Sequence, residues 1–238
     1  MTSSPSQSVV LLCSWFCPFA QRAWIALLEK GVNFQYKEVD PYAKGPELMA
    51  VNPKGLVPAI KHGEHNIYES LVCVEYVDEA FPSPPHLFPT TPAKRAHARI
   101  WIDFISKTFV PTYYRMLCRQ DQEEQEAAKK AMSEHVHDFT KAMSSEGPFF
   151  LGEHFSAVDI ALIPWVQRFY VLKYYRKFEV EPSEPERFTT WVQACLSRPS
   201  VSATIADSDK LLHSYARYAD NSAATKVAEA INKNTPLP

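Results

Sequence analysis

"VVLLCSWFCPFAQRAWIALLEKG" (residues 9–31) is the stretch whose reading decides the fold. Its first five residues form a short β-rich apolar run, the pattern of a buried strand. Pro18 then suits the first position of a helix, where a missing N–H costs nothing. Phe19, Ala23, Ala26 and Leu27, with Trp24 and Leu28 beside them, give that helix an apolar face, and Gly31 fits as its stop. Cys17 therefore falls at the junction of strand and helix, at or next to the N-cap. Unpaired N–H groups and the positive end of the helix dipole favour an anion there, so a thiol at this point ionises more readily. Arg22 can add to that field, or can equally be structural. A purely structural cysteine belongs more naturally inside the strand or on the buried helix face.

The rest of the chain sets bounds on this reading. It has 238 residues, 46% of them hydrophobic and 22% charged, the profile of an ordinary globular protein of one large or two modest domains. A formal net charge of −2 leaves no electrostatic footprint for nucleic acid or an anionic membrane. No apolar run approaches the length needed to cross a bilayer, and the amino terminus lacks the basic start of a signal peptide, so a cytoplasmic protein is expected. Five cysteines (Cys13, Cys17, Cys73, Cys118 and Cys195) are scattered without metal-ligand spacing, and no metal is expected. Cys13 and Cys17 stand as C-x-x-x-C. From a strand end to a helix start that gap is expected to hold the α-carbons too far apart for an unstrained disulfide, which favours a one-cysteine mechanism. Cys73, amid an apolar helix face, reads as core.

Outward from the first helix, "NFQYKEVD" (residues 33–40) alternates as a second strand, and "PYAKGPELMAVNP" is a loop with a short helical piece. Val57-Pro58-Ala59-Ile60 reads as a third strand. Pro58 there has to begin the strand or be cis. "HGEHN" supplies a turn, "IY" a short fourth strand, and "ESLVCVEYVDEAF" a helix with Glu69 and Ser70 at its cap. The order is strand, helix, strand, then strand, strand, helix: a small α/β domain with parallel and antiparallel pairs. Proline-rich "FPSPPHLFPTTP" reads as a linker, and from residue 93 the pattern is helical with no convincing strand. "DQEEQEAAKKAMSEHVHDFTKAM" reads as an amphipathic helix with a charged outer face. His135 and His137, two apart, diverge on it and do not suggest a metal site. "PERFTTWVQACLSRPS" reads as a further helix ended near Pro199. Ser156 is placed to cap the helix that begins at Ala157, with Asp159 reaching back as its capping-box partner.

In this layout "CPFAQR", "NPKGLVPA" and "YESLVCVEYVDEAFP" resemble the active-site, cis-proline and glutamate–serine segments of glutathione transferases, and the cysteine resembles that of the omega class. "FFLGEHFSAVDIALIPWVQRF" resembles the family's core helix, so the likeness covers roughly residues 9–215 and leaves the tail without an assigned role. The resemblance implies a thioredoxin-like glutathione-binding domain (residues 1–80), a linker (81–92) and an all-helical domain (93–238) lining the substrate site. It implies Cys17 as nucleophile, forming a mixed disulfide with glutathione that a second glutathione releases, in deglutathionylation, thiol transfer or dehydroascorbate reduction. Glu69 and Ser70 match the residues that take the γ-glutamyl end, Val57 the residue whose backbone pairs with the tripeptide ahead of Pro58, Lys44 the contact to the glycyl end, and Phe19 the aromatic beside the thiol. Each also has a plainer reading: caps, a solvated lysine, a structural proline, core.

Trp165, Arg168 and Trp191 match omega-class substrate-site positions, although most aromatics of this half read as helical core. The partners so implied are glutathione and small hydrophobic or aromatic electrophiles, disulfides or glutathione conjugates, with a homodimer and no nucleic acid or membrane. Two other readings stand beside this one. The first is a non-catalytic ligand-binding protein holding aromatic or phenolic molecules between the domains. The second is a relative of the chloride intracellular channel proteins, which share the fold and a similar "CPF" motif.

Overall fold

The computed structural model describes residues 8–180 and 186–238. Two compact units emerge. One runs to Thr90 and takes back Pro199–Thr204; the other comprises Thr91–Arg198 and Ile205–Pro238. The return of Pro199–Thr204 to the first unit differs from the division expected at residue 93. Its cause is visible in Gln21, which donates to the Thr204 carbonyl (3.2 Å) and hydroxyl (2.9 Å), and in Ser200, which donates to Glu29.

In the first unit β1 (Val9–Cys13) lies parallel to β2 (Phe34–Glu38) and antiparallel to β3 (Ala59–His62), which pairs with β4 (His65–Tyr68). The sheet order is β2-β1-β3-β4. The expected "HGEHN" turn is shorter than read, because His65 and Asn66 already pair in β4. α1 (Pro18–Glu29) opens at Pro18, as its sequence requires. It closes in a Schellman arrangement: the Gly31 N–H donates to Leu28 and the Val32 N–H to Leu27, with Gly31 at φ 62°. Ala20 and Ile25 share its buried face with Ala23, Ala26 and Leu27, whereas Phe19, Trp24 and Leu28 are half-buried. α2 (Pro46–Val51) packs along β3 and β4, and α3 (Ser70–Ala80) packs on α1.

The proline-rich segment after α3 is built into this unit rather than hanging as a tether. Buried Lys30 donates to Asp78 (3.2 Å) and to the Ser83 and Pro85 carbonyls, both at 2.7 Å. Asp78 in turn accepts the N–H groups of Leu87 and Phe88, whose side chains are buried. Leaving either charge of such a clasp alone in the interior is costly, so the two hold the segment together.

The second unit is helical. α4 (Pro92–Phe104) runs through a π-helical turn (Ile105–Phe109) into α5 (Val110–Cys118). α6 (Gln122–Ala142) is capped by Asp121 and buries Ala128, Met132, Val136, Phe139 and Thr140, a one-sided stripe that matches its amphipathic pattern. α7 (Ala157–Val166) is buried on every side, as a helix apolar all round must be. Ser156 and Asp159 form the expected capping box. α8 (Phe169–Arg176), α9 (Glu186–Leu196), the short α10 (Pro199–Ser202) that returns to the first unit, α11 (Ser208–Ala219) and α12 (Lys226–Asn232) complete the order. Pro185, with which the sequence reading opened the ninth helix, lies outside the described residues, as do residues 1–7 of the amino-terminal stretch. The tail has a definite place in the fold. Thr225 caps α12, and Arg119 donates to the Ile231 carbonyl (2.8 Å) and to Asn234 (2.7 Å).

Candidate active site

Strand register gathers the site. Leu12 pairs with Ala59, and Ala59 with Tyr68. The chain segments just beyond these partners, at Ser14–Cys17, Val57–Pro58 and Glu69–Ser70, therefore leave the sheet at the same end. The helices that follow, α1 and α3, begin there.

Cys17 is the N-cap of α1, in extended backbone geometry (φ −81°, ψ 115°), and is half-buried. Its N–H donates to the Ser14 carbonyl (2.9 Å), closing a turn, while its carbonyl accepts from Gln21. The thiol thus stands at the helix N-terminus, where a thiolate is favoured. Cys13 is different in kind. It is completely buried at the end of β1, and burial, followed by the neighbouring Cys17 charge, pushes its thiol far above the ordinary value. Cys73, Cys118 and Cys195 are also buried, and burial drives each thiol up, Cys118 to about 12. None of the five is in a disulfide.

The Glu38 carboxylate, at the end of β2, accepts from the Ser14 hydroxyl (3.2 Å), the Trp15 N–H (3.2 Å) and the Tyr36 phenol. Arg22, which the sequence left open between structure and field support, is 2% exposed. Its Nη1 donates to Ser70 Oγ (3.2 Å), and its guanidinium lies 5.7 Å from the centre of the Phe19 ring. It therefore ties α1, near its N-terminal end, to the first residue of α3.

Glu69 caps α3 with φ 69°, in the left-handed region that a non-glycine residue occupies only at some cost. Its carboxylate meets Lys54 Nζ at 2.6 Å, an exposed ion pair that raises the lysine's pKa chiefly through that hydrogen bond. Lys54 was not singled out from the sequence. The signal was an Asx turn: buried Asn52 accepts the Lys54 N–H (3.0 Å) and donates to the Leu56 carbonyl (2.8 Å), and this shapes the loop that presents Lys54. Gly55, at φ 64°, completes that loop. A Cβ there would lie 3.0 Å from Lys44 Cδ and 2.9 Å from Met49 Sδ, so the Lys44 stem runs directly over it. The Val57–Pro58 bond is cis, one of the two options the sequence allowed, and Val57 lies two residues ahead of the β3 ladder.

The three residues expected to line a substrate site are buried. Trp191 is completely buried among Phe139 and Phe188, and its indole N–H donates to Asp159 (2.7 Å). Trp165 is completely buried in α7, and Arg168, 1% exposed, donates to the Pro164 carbonyl. All three are enclosed by protein, and Trp191 in particular holds a core hydrogen bond. His135 sits against Phe104 and Thr112, with burial lowering its pKa. Among the described residues no cluster of side chains is set to hold a metal, and no helix is long and apolar enough to cross a membrane.

A four-stranded mixed sheet with a helix-capping thiol and a cis-proline at one end of its central strands, followed by an all-helical unit, defines a thioredoxin-like domain joined to a helical one. Residues 16–80 match the family described as Glutathione S-transferase, N-terminal domain, and residues 122–194 its C-terminal domain. Glutathione S-transferase U26 of Arabidopsis thaliana is 35% identical over 208 residues, 87% of this chain and 93% of that one. Among solved structures, glutathione transferase Omega 3C from Trametes versicolor is 42% identical with a TM-score of 0.79, over 86% of this chain and 91% of that one. The Tau class glutathione S-transferase of mango, Mangifera indica, is 26% identical with a TM-score of 0.82, over 90% and 100%. The chain belongs to the glutathione S-transferase family, and glutathione is its co-substrate. Its relatives include both Omega and Tau members, so similarity alone narrows the expected omega class no further than the family.

Proposed function

We propose that this glutathione transferase is of omega type and acts by thiol–disulfide exchange at Cys17. The observation that carries the reading is a half-buried thiol as the N-cap of α1. A hydroxyl at that point could only orient a glutathione thiolate; a thiol can itself be the nucleophile. The Cys17 thiolate attacks the glutathionyl sulfur of a mixed disulfide. A Cys17–glutathione S–S bond forms, the substrate S–S bond breaks, and the departing thiolate takes up a proton. A second glutathione thiolate then attacks the adduct, forming oxidised glutathione and returning Cys17 as thiolate. Cys13, buried and held protonated, is a poor resolving group, which supports release by glutathione rather than by a second cysteine.

Around the thiol, Ser70 and the α3 N-terminus suit the γ-glutamyl carboxylate, Glu69 its amine, and Lys44 the glycyl carboxylate, while Lys54, paired with Glu69, adds a cation at the γ-glutamyl end. Phe19, two residues beyond Cys17 in α1, suits the place beside the glutathione thiol, and the Val57 backbone, next to Pro58, suits pairing with the tripeptide. Identity of 42% to an Omega enzyme supports the class. Deglutathionylation and dehydroascorbate reduction are the activities proposed, and electrophile conjugation the activity expected to be weak. A homodimer and a cytoplasmic location belong to the same reading, on family resemblance.

The test is glutathione-dependent reduction of a small mixed disulfide, coupled to glutathione reductase, for wild type and Cys17→Ser. Turnover lost in the variant, with a glutathionyl adduct on Cys17 of the wild type, is the expected result. Turnover retained by Cys17→Ser, or glutathione bound with no exchange in the wild type, would overturn it.

A further inference from the structure

Glu38 was not singled out from the sequence, where it is one polar position in a strand. It is exposed, yet its carboxylate is fully engaged. It accepts from the Ser14 hydroxyl at 3.2 Å, from the Trp15 N–H at 3.2 and 3.3 Å, and from Tyr36. Its own backbone is fixed by the ladder, because it stands opposite Cys13 and the next residue, Val39, donates to the Cys13 carbonyl at 2.8 Å. The Ser14 carbonyl then accepts the Cys17 N–H at 2.9 Å. From a rigid strand end to the thiol's own residue there are thus only two hydrogen-bonded steps.

The other side of the turn is held by the same stretch of chain. Phe16 stacks on Tyr42 with ring centres 5.8 Å apart and planes 5° from parallel, and the Tyr42 N–H is pinned to Asp40 at 2.8 Å. Trp15 meets Phe16 edge-on at 5.5 Å. The segment at and after β2 therefore grips every residue between β1 and Cys17. A charge-assisted acceptor for a backbone N–H is the strongest element of that grip.

From this geometry we infer that Glu38 is a positioning residue for Cys17. Its carboxylate fixes the turn at residues 14–17 and so sets where the Cys17 sulfur stands at the mouth of α1. Glu38 acts through Ser14 and Trp15, the two turn residues its carboxylate holds. The inference rests on the reading of Cys17 as the reacting thiol, and displacing a nucleophile by a fraction of an ångström suffices to slow an exchange.

The experiment compares wild type, Glu38→Ala, Glu38→Gln and Cys17→Ser. It measures the rate at which iodoacetamide alkylates Cys17, mapped by peptide mass, and the kcat and KM of glutathione-dependent disulfide reduction. Glu38→Ala should slow Cys17 alkylation and lower kcat by about tenfold, with KM for glutathione within about twofold of wild type. Glu38→Gln, whose amide oxygen still accepts from Trp15 and Ser14, should recover most of both rates. Wild-type alkylation and kcat in Glu38→Ala would overturn the inference. So would a parallel loss of kcat and glutathione affinity that the glutamine does not rescue, since that marks a general structural role. Should Glu38→Ala fail to fold, Ser14→Ala removes only the hydroxyl leg: slower alkylation supports the role and a wild-type rate overturns it. Alkylation needs no turnover, so activity surviving in Cys17→Ser would overturn the nucleophile reading while leaving the Glu38 result legible.

Discussion

Arg22 Nη1 donates to Ser70 Oγ at 3.2 Å across the interior of the first unit, joining the helix that begins at the thiol to the helix that begins at the glutamate–serine pair. One buried guanidinium therefore couples the two helix N-termini on which glutathione is proposed to rest. A charged group with so little exposure persists only where it is well engaged, and its loss leaves polar partners stranded.

Arg22→Ala should consequently cost about 2–4 kcal/mol of stability by urea unfolding. It should also weaken glutathione binding, as Ser70 loses its anchor. Arg22→Lys should restore little of either, because an ammonium is compact and lacks the planar fork that lies over Phe19 while reaching Ser70. A lysine variant with wild-type stability and affinity would show that only the charge matters.

Cys13 and Cys17 differ in chemistry although four residues apart in sequence. Burial pushes the Cys13 thiol well up, while Cys17 caps a helix. Cys13→Ala should retain thiol-transfer kcat within about twofold, since a buried thiol behaves as a small apolar side chain. Treatment of wild type with oxidised glutathione should yield a glutathione adduct at Cys17, with glutathione released, and no Cys13–Cys17 peptide. Recovery of that cross-linked peptide from folded enzyme would reverse the assignment.

What could be read from the sequence, and what could not, follows from range. Strand β1, the cap at Cys17, the cis option at Pro58, the stripe of α6 and the Ser156–Asp159 box are all local, set by a few neighbouring residues, and all appear in the structure. Lys54, Glu38 and the roles of Arg22 and Asp78 are not local. Each depends on a partner 9 to 48 residues away along the chain that only the strand register or helix packing brings near. Trp165, Arg168 and Trp191 show the same limit from the other side. A resemblance carried them to a ligand-facing role, whereas Trp165 in α7, Arg168 at the cap of α8 and Trp191 in α9 are all buried. Burial of large side chains is decided by the whole unit, and an aromatic residue in a helical pattern fits core or cleft equally.

The Lys54–Glu69 pair separates binding from stability. Both partners are exposed, and an exposed ion pair contributes little to folding. Lys54→Met should leave the unfolding midpoint unchanged and raise KM for glutathione about tenfold at low salt, the size of one lost charge-assisted contact. The difference should shrink in high salt, where screening weakens the contact in the wild type too. A lowered midpoint with unchanged KM would make the pair structural.

Asp159 is a heavily engaged carboxylate of the helical unit, and its pH behaviour follows from its burial. It is completely buried and accepts from the Phe150 N–H (2.9 Å), the Ser156 N–H (2.8 Å) and hydroxyl (2.7 Å), and the Trp191 indole (2.7 Å). Desolvation raises its pKa, and these four bonds pull against that rise without cancelling it. Asp159→Ala strands the donors and should cost about 3–5 kcal/mol, with Trp191→Phe losing about 1–3 kcal/mol for its single bond. Because the folded state holds this proton more tightly than the unfolded chain, the stability it contributes is full below the unfolded value. That contribution is lost as pH rises through the folded one. Asp159→Asn cannot titrate, so the stability of wild type over Asp159→Asn should narrow as pH rises from about 4 towards neutral. Urea unfolding of the two proteins across that range reads the gap directly, with all other titrations common to both. A gap that widens with pH would mean that the four donors outweigh desolvation and that Asp159 is held ionised by its bonds.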